Sequence, residues 1–123
     1  MDDKILKENR EFQFVTALEN GKAQNIAVLN VSSLTSITDF MIIATGTSSR
    51  HVKSLVKQLI EDKSQFGVPI GVEGLQSGEW VLVDFGEIVI HIMLKTARDF
   101  YNLESLWNAG FLNSSDSVSY THL

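Results

Sequence analysis

Residues 40–60 constrain the fold of this chain more than any other stretch. Phe40 to Ala44 is a continuous apolar run, and Gly46-Thr47-Ser48-Ser49 follows it. Val52, Leu55, Val56, Leu59 and Ile60 then recur at i, i+3, i+4, i+7 and i+8. A short apolar run of that kind is a strand covered on both faces, and the later spacing is the apolar stripe of an α-helix. Thr47 or Ser48 is a good N-cap, so the pattern predicts a helix over 49–65 that Gly67 stops. A strand feeding an amphipathic helix opens a strand–helix–strand unit, expected to be a right-handed crossover between parallel strands.

The flanking sequence fills in the rest. Phe14, Val15 and Leu18 sit at helical spacing within an expected helix over 4–19, which Gly21 is placed to end. Ile26 to Val31 is a second buried strand, and the Ser/Thr-rich stretch 32–39 is a loop in which Leu34 and Ile37 are expected to tuck inward. Val68 to Val72 reads as a short strand whose Pro69 favours its start or a sheet edge. Trp80 to Phe85 and Ile88 to Leu94 are two strands around a turn at Phe85-Gly86, a hairpin. Thr96 to Trp107 reads as two short helical turns, with Asn102 able to cap the second. The expected architecture is α/β: a single mixed β-sheet of about five strands with flanking helices. Residues 1–110 form the one domain, and 111–123, polar and without periodicity, are expected to be a disordered C-terminal tail.

Charge and cysteine content narrow the function. Fifteen acidic residues against ten basic ones leave a net charge of −5, which argues against general affinity for nucleic acid, because such binding depends on neutralising phosphates. No Lys or Arg lies between Lys63 and Lys95, whereas Glu73, Glu79, Asp84 and Glu87 all do. Such a segment suits a basic protein partner, although a solvated acidic surface is the plainer reading. Arg50, Lys53 and Lys57 form the one basic stripe, on the outer face of the helix over 49–65. With no cysteine, thiolate metal sites and thiol nucleophiles are excluded. Met1-Asp2-Asp3-Lys4 lacks the basic-then-apolar order of a secretory signal, and no apolar run approaches the ~20 residues that span a bilayer. A cytoplasmic protein with no membrane association is expected.

Catalytic patterns are weak throughout. The Gly46 to Ser49 loop joins a strand to a helix N-terminus and could hold an anion with Arg50 or His51 assisting, but neither a P-loop nor G-x-G-x-x-G is present. A helix cap accounts for the loop without a ligand. Asp84 and Glu87 are the nearest thing to a metal-binding carboxylate pair, yet they flank a turn, where acids are common. His51, His91 and His122 are scattered, and no G-x-S-x-G elbow supplies a nucleophile. No catalytic residue, cofactor or metal ligand is therefore assigned.

The hairpin is more informative as a surface. A turn centred on Phe85-Gly86 sets Trp80 opposite His91, Leu82 opposite Val89 and Asp84 opposite Glu87. Alternation then puts Trp80, Leu82 and Asp84 on one face with Val89, His91 and Met93. A tryptophan among aliphatic and acidic groups is a common anchor of protein interfaces, and equally a residue packed beneath a terminal helix.

These residues also carry a family resemblance. The runs SITDF (36–40), ATGTSSRHV (44–52), VEGL (72–75), GEWVLVDFG (78–86), VIH (89–91) and RDFYNLESLW (98–107) occur in the order and spacing of the ribosomal silencing factors, the Iojap-related family. The chain resembles that family over about 11–110. The resemblance implies a nucleotidyltransferase-like fold without that chemistry. It also implies a factor that binds the large ribosomal subunit through ribosomal protein L-fourteen, sterically blocks its association with the small subunit, and represses translation under nutrient limitation. Carried over by motif, the partner-binding residues are Glu79, Trp80, Val81 and Leu82 in the hairpin, with Lys95, Arg98 and Tyr101 at the junction into the final helices. Little or no direct nucleic-acid binding and a monomer or weak homodimer are expected. The alternatives are a nucleotidyltransferase-like, phosphate-handling enzyme using the Gly46 loop and Asp84, or a scaffold that dimerises through the same hairpin face.

Overall fold

Among the described residues, six strands join one mixed sheet, with helices packed on both of its faces. The computed structural model describes residues 9–103, Ser105 and 118–122. Helix α1 (Arg10–Asn20) buries Phe14, Val15, Ala17 and Leu18, and ends where the Gly21 amide donates to the Ala17 carbonyl. Residues 4–8 of the expected helix lie outside the described residues. Strands β1 (Gln24–Asn30) and β2 (Phe40–Gly46) pair antiparallel, with a register shift between Gln24 and Ala27 where Asn25 adopts a φ of 49°. In the connecting loop Leu34 and Ile37 are exposed, not tucked inward. Backbone bonds hold that loop instead: the Leu34 amide donates to Val31, and those of Asp39 and Phe40 both donate to Glu87.

Helix α2 (Ser49–Glu61) is capped by Ser48, whose hydroxyl accepts from the His51 amide. Its Val52, Leu55, Val56 and Leu59 are buried, as the spacing requires. It stops four residues earlier than expected because Asp62 caps a separate turn, α3 (Lys63–Phe66), by accepting from the Gln65 amide. The break turns Phe66 inward to stack on Phe14, with ring centroids 4.7 Å apart. Strand β3 is confined to Gly71–Glu73, and Val68 and Ile70 before it are exposed.

Strands β4 (Trp80–Asp84) and β5 (Ile88–Leu94) form the hairpin, and helix α4 (Lys95–Tyr101) follows directly. β5 pairs parallel with β2, and the antiparallel steps from β5 to β4 to β3 leave β3 parallel to β2 as well. Strand β6 (Val118–His122) pairs parallel with the outer edge of β1, so ordered structure falls within the stretch expected to be a disordered tail. The order across the sheet is β3-β4-β5-β2-β1-β6. An open edge offers a row of unpaired N–H and C=O groups, and the segment VSYTH has the β-branched and aromatic content that suits it. Residues 111–117 and Leu123 lie outside the described residues.

The sheet separates two apolar layers. Ile26, Val28, Ile42, Ala44, Val81, Val83, Ile90 and Ile92 pack beneath α1 and α2. Ala27, Leu29, Met41, Ile43 and Met93 point the other way, where Trp80, Ala97 and Leu103 pack against them. This second layer carries the site.

Candidate functional site: an aromatic face on the hairpin

The hairpin register is two residues off the expected one. Trp80 lies opposite Met93, Leu82 opposite His91 and Asp84 opposite Val89. The turn is longer than the sequence suggests: the Asp84 carboxylate accepts from the Gly86 amide at 2.8 Å, Gly86 takes a φ of 94°, and the Phe85 amide donates to Ile88. A shift of two preserves the face on which every side chain lies. Trp80 and His91 therefore still share a face, now as diagonal neighbours, and the indole Nε1–H donates to His91 Nδ1 at 2.9 Å.

His91 is buried, and desolvation lowers its pKa from 6.5 to about 4. The ring is neutral at pH 7. An indole N–H is only a donor, so Nδ1 accepts and the ring proton sits on Nε2. Beyond Trp80 stands Tyr101 at the end of α4, with ring centroids 4.6 Å apart and planes at 45°. Phe100 meets Tyr101 edge-on at 5.0 Å. Tyr101 is 51% exposed and Phe100 80% exposed. Buried histidine, half-buried indole and two open rings thus form a graded aromatic face. Phe100 is absent from the contact residues carried over by motif. Its signal is the adjacent pair Phe100-Tyr101, since neighbouring positions on a helix do not point the same way and a short helix cannot bury both.

The seven residues carried over by motif divide on this geometry. Trp80 and Tyr101 touch each other. Glu79 is exposed beside Trp80 and its carbonyl accepts from the Leu94 amide, while Leu82 is half-buried on the same face as Trp80. Val81 does not belong to this surface: alternation turns it through the sheet, and it is fully buried beneath the helices. Lys95 is exposed and pairs with Asp99 one turn along α4 at 2.7 Å. Arg98 is partly buried, and its guanidinium donates to the Asn25 carbonyl and, at 2.8 Å, to Thr45 Oγ1. It ties α4 to the ends of β1 and β2.

The groups considered for catalysis are already engaged by the fold. In the Gly46 loop, the Thr47 amide donates to His51 Nδ1, the His51 amide to Ser48 Oγ and the Val52 amide to the Ser48 carbonyl. These are amides an anion would need. His51 Nε2 donates to the Gly21 carbonyl at 2.8 Å, joining α2 to the end of α1. Glu87 pairs with Arg10, which also donates to the Phe66 carbonyl. Among the described residues no group of three or more His, Asp or Glu is placed to hold a metal ion, and no helix is long and apolar enough to cross a membrane.

Residues 7–122 match the family model described as "Ribosomal silencing factor during starvation". The chain belongs to the ribosomal silencing factor family. It is 48% identical over 94 residues to the ribosomal silencing factor RsfS of Chromobacterium violaceum, covering 76% of this chain and 77% of that one. The RsfS of Haemophilus influenzae is 42% identical over 91 residues, covering 73% and 89%. A mouse relative named "Mitochondrial assembly of ribosomal large subunit protein 1" is 36% identical over 97 residues, covering 76% of this chain and 42% of that protein. A Chromobacterium violaceum crystal structure superposes with a TM-score of 0.78 at 40% identity, covering 89% of this chain and 92% of that one. One from Bacillus halodurans superposes with a TM-score of 0.70 at 30% identity, covering 86% and 95%. The silencing factors thus share the mixed sheet and flanking helices of this chain, and the names of these relatives are those of factors acting on ribosomes.

Proposed function

We propose that this silencing factor acts by occupancy and not by catalysis. It binds the large ribosomal subunit through ribosomal protein L-fourteen, stands where the small subunit docks, and lowers translation when nutrients are short. The observation that carries this reading is the Trp80–Tyr101–Phe100 face, an exposed aromatic patch beside Glu79 on a hairpin that carries no Lys or Arg. Aromatic centres with a polar rim are the usual anatomy of a protein–protein contact, and the acidic surroundings favour a basic protein over bare RNA. The mouse relative's name, with its reference to the large subunit, supports the choice of partner. The factor works in the cytoplasm with little direct nucleic-acid binding, needs no cofactor, and is a monomer or weak homodimer.

Gradient sedimentation with purified subunits tests the proposal. The protein should travel with the large subunit and reduce the joined ribosome peak. Trp80→Ala should weaken binding about thirtyfold, corresponding to ~2 kcal/mol for an interface anchor. Full affinity in that variant would reject the site. A melting temperature that rises with a nucleotide and magnesium would point to a phosphate-handling enzyme instead.

A further inference from the structure

We propose that His91 is the positioning residue of the aromatic docking face, acting through the orientation of the Trp80 indole and without touching the partner itself. The inference deepens the occupancy reading above and rests on it.

Three observations combine. His91 lies at the centre of β5, opposite Leu82 and parallel-paired with Ile43 of β2, so neighbouring strands hold its backbone on both sides. The residue is 7% exposed, too buried to serve as a contact residue. Its Nδ1 nevertheless accepts the one polar hydrogen of Trp80 at 2.9 Å, with the two rings 5.9 Å apart and tilted by 42°. A buried aliphatic residue would fill this place in the strand and leave the indole N–H without that acceptor.

The indole stands between a rigid group and a more open one. Tyr101 sits at the last position of a seven-residue helix and is half exposed, so the helix alone does not fix its ring. With the indole held by His91, Tyr101 has a fixed surface to lie against at 4.6 Å, and Phe100 meets Tyr101 in turn. Order passes outward from the sheet to the exposed rings. An anchor set in its bound orientation loses less side-chain freedom on docking, which raises affinity with no added contact. The neutral ring, with its proton on Nε2, is the form that can accept this bond. Burial among apolar neighbours favours that form.

The test uses the full chain in a Trp107→Phe background, which leaves Trp80 as the sole indole. In the protein with His91 intact, a scalar coupling between the indole nitrogen and His91 Nδ1 should be detectable by NMR of nitrogen-15-labelled protein. Its absence overturns the proposal. His91→Leu should retain the fold by circular dichroism, shift the indole N–H resonance, and weaken binding to purified large subunits about fivefold to tenfold, as expected for one lost hydrogen bond. His91→Asn, whose side-chain oxygen can take the place of Nδ1, should recover most of that loss even if it melts at a lower temperature. A purely structural role would instead make affinity follow melting temperature across both variants. Unchanged binding in His91→Leu, with Trp80→Ala still impaired, overturns the positioning role alone. Unchanged binding in Trp80→Ala overturns the docking reading, and the positioning role with it.

Discussion

Arg98 in α4 donates to Thr45 Oγ1 at 2.8 Å, joining positions 53 residues apart in the chain. The same guanidinium nitrogen donates to the carbonyl of Asn25, the residue with positive φ at the irregular start of β1. One side chain therefore closes the end of the sheet where β1 and β2 meet the helix that presents Tyr101. Arg98→Ala should destabilise the fold by about 1–3 kcal/mol, the range for hydrogen bonds to a charged group that is partly buried. Urea unfolding gives the value. Because α4 carries Tyr101 and Phe100, the variant should also bind large subunits less tightly, with Arg98→Lys intermediate, since Lys lacks the planar fork of donors.

Val81 and Tyr101 provide a matched pair of substitutions. Val81 is fully buried among the residues beneath α1 and α2, and Val81→Ala should cost roughly 1–2 kcal/mol of stability while leaving the folded protein's affinity for the large subunit nearly unchanged. Tyr101→Ala removes a half-exposed ring and should have the opposite signature: a small change in melting temperature and a loss of binding of about tenfold. Thermal melts and subunit-binding titrations on both variants separate the buried face of the hairpin from the proposed docking face.

His91 makes stability depend on pH in a defined window. Its folded pKa is lowered to about 4 from an unfolded 6.5. Above pH 6.5 the ring is neutral in both states, and its contribution to stability is complete. As pH falls below 6.5 the unfolded chain takes up the proton first, so stability declines until the native ring also protonates near pH 4. The total loss is about 3 kcal/mol, because each tenfold difference in proton affinity between the two states is worth about 1.4 kcal/mol. Asp84 on the facing strand and Tyr101 and Arg98 on α4 are ionisable groups on this side of the sheet among the described residues. Denaturant melts between pH 4 and 7 should show the slope, and His91→Leu should flatten it.

Gly74 holds the approach to the hairpin. Its φ is 85°, and a Cβ there would lie 2.1 Å from the Trp80 carbonyl oxygen. A Cβ on Gly71, in β3, would meet only open space. Gly74→Ala should therefore cost about 2 kcal/mol or more and disturb Trp80, whereas Gly71→Ala should be close to neutral. Chemical denaturation, and the Trp80 emission spectrum in the Trp107→Phe background, check both outcomes.

Much of the site is legible in the residues alone. The period-two pattern of WVLVD and IVIHIML assigns faces, and the structure keeps Trp80, Leu82, Asp84, Val89, His91 and Met93 together as that pattern requires. The same alternation, applied to Val81, places it on the other side. The motif resemblance draws it into the contact surface because a run of adjacent matching residues does not distinguish the two faces of a strand. The expected register fails at the turn. Whether Asp84 lies opposite Glu87, as expected, or opposite Val89 with its carboxylate bonded forward to the Gly86 amide, as observed, depends on a local energy difference that apolar spacing does not encode. The role of Arg98 is equally hidden, since both acceptors lie more than fifty residues away along the chain.

Local chemistry, then, settled what each segment is. The Ser48 cap, the apolar stripe from Val52 to Leu59 and the alternation of β4 and β5 act over a few bonds and need no distant partner. Tertiary structure decided how the segments are used. It brought β6 to the edge of β1, committed Arg98 to a structural tie, and set Trp80 between a buried imidazole and an exposed phenol. Those choices depend on which hydrogen-bonding groups and apolar surfaces meet after the chain has folded back on itself, and sequence spacing carries no measure of that meeting.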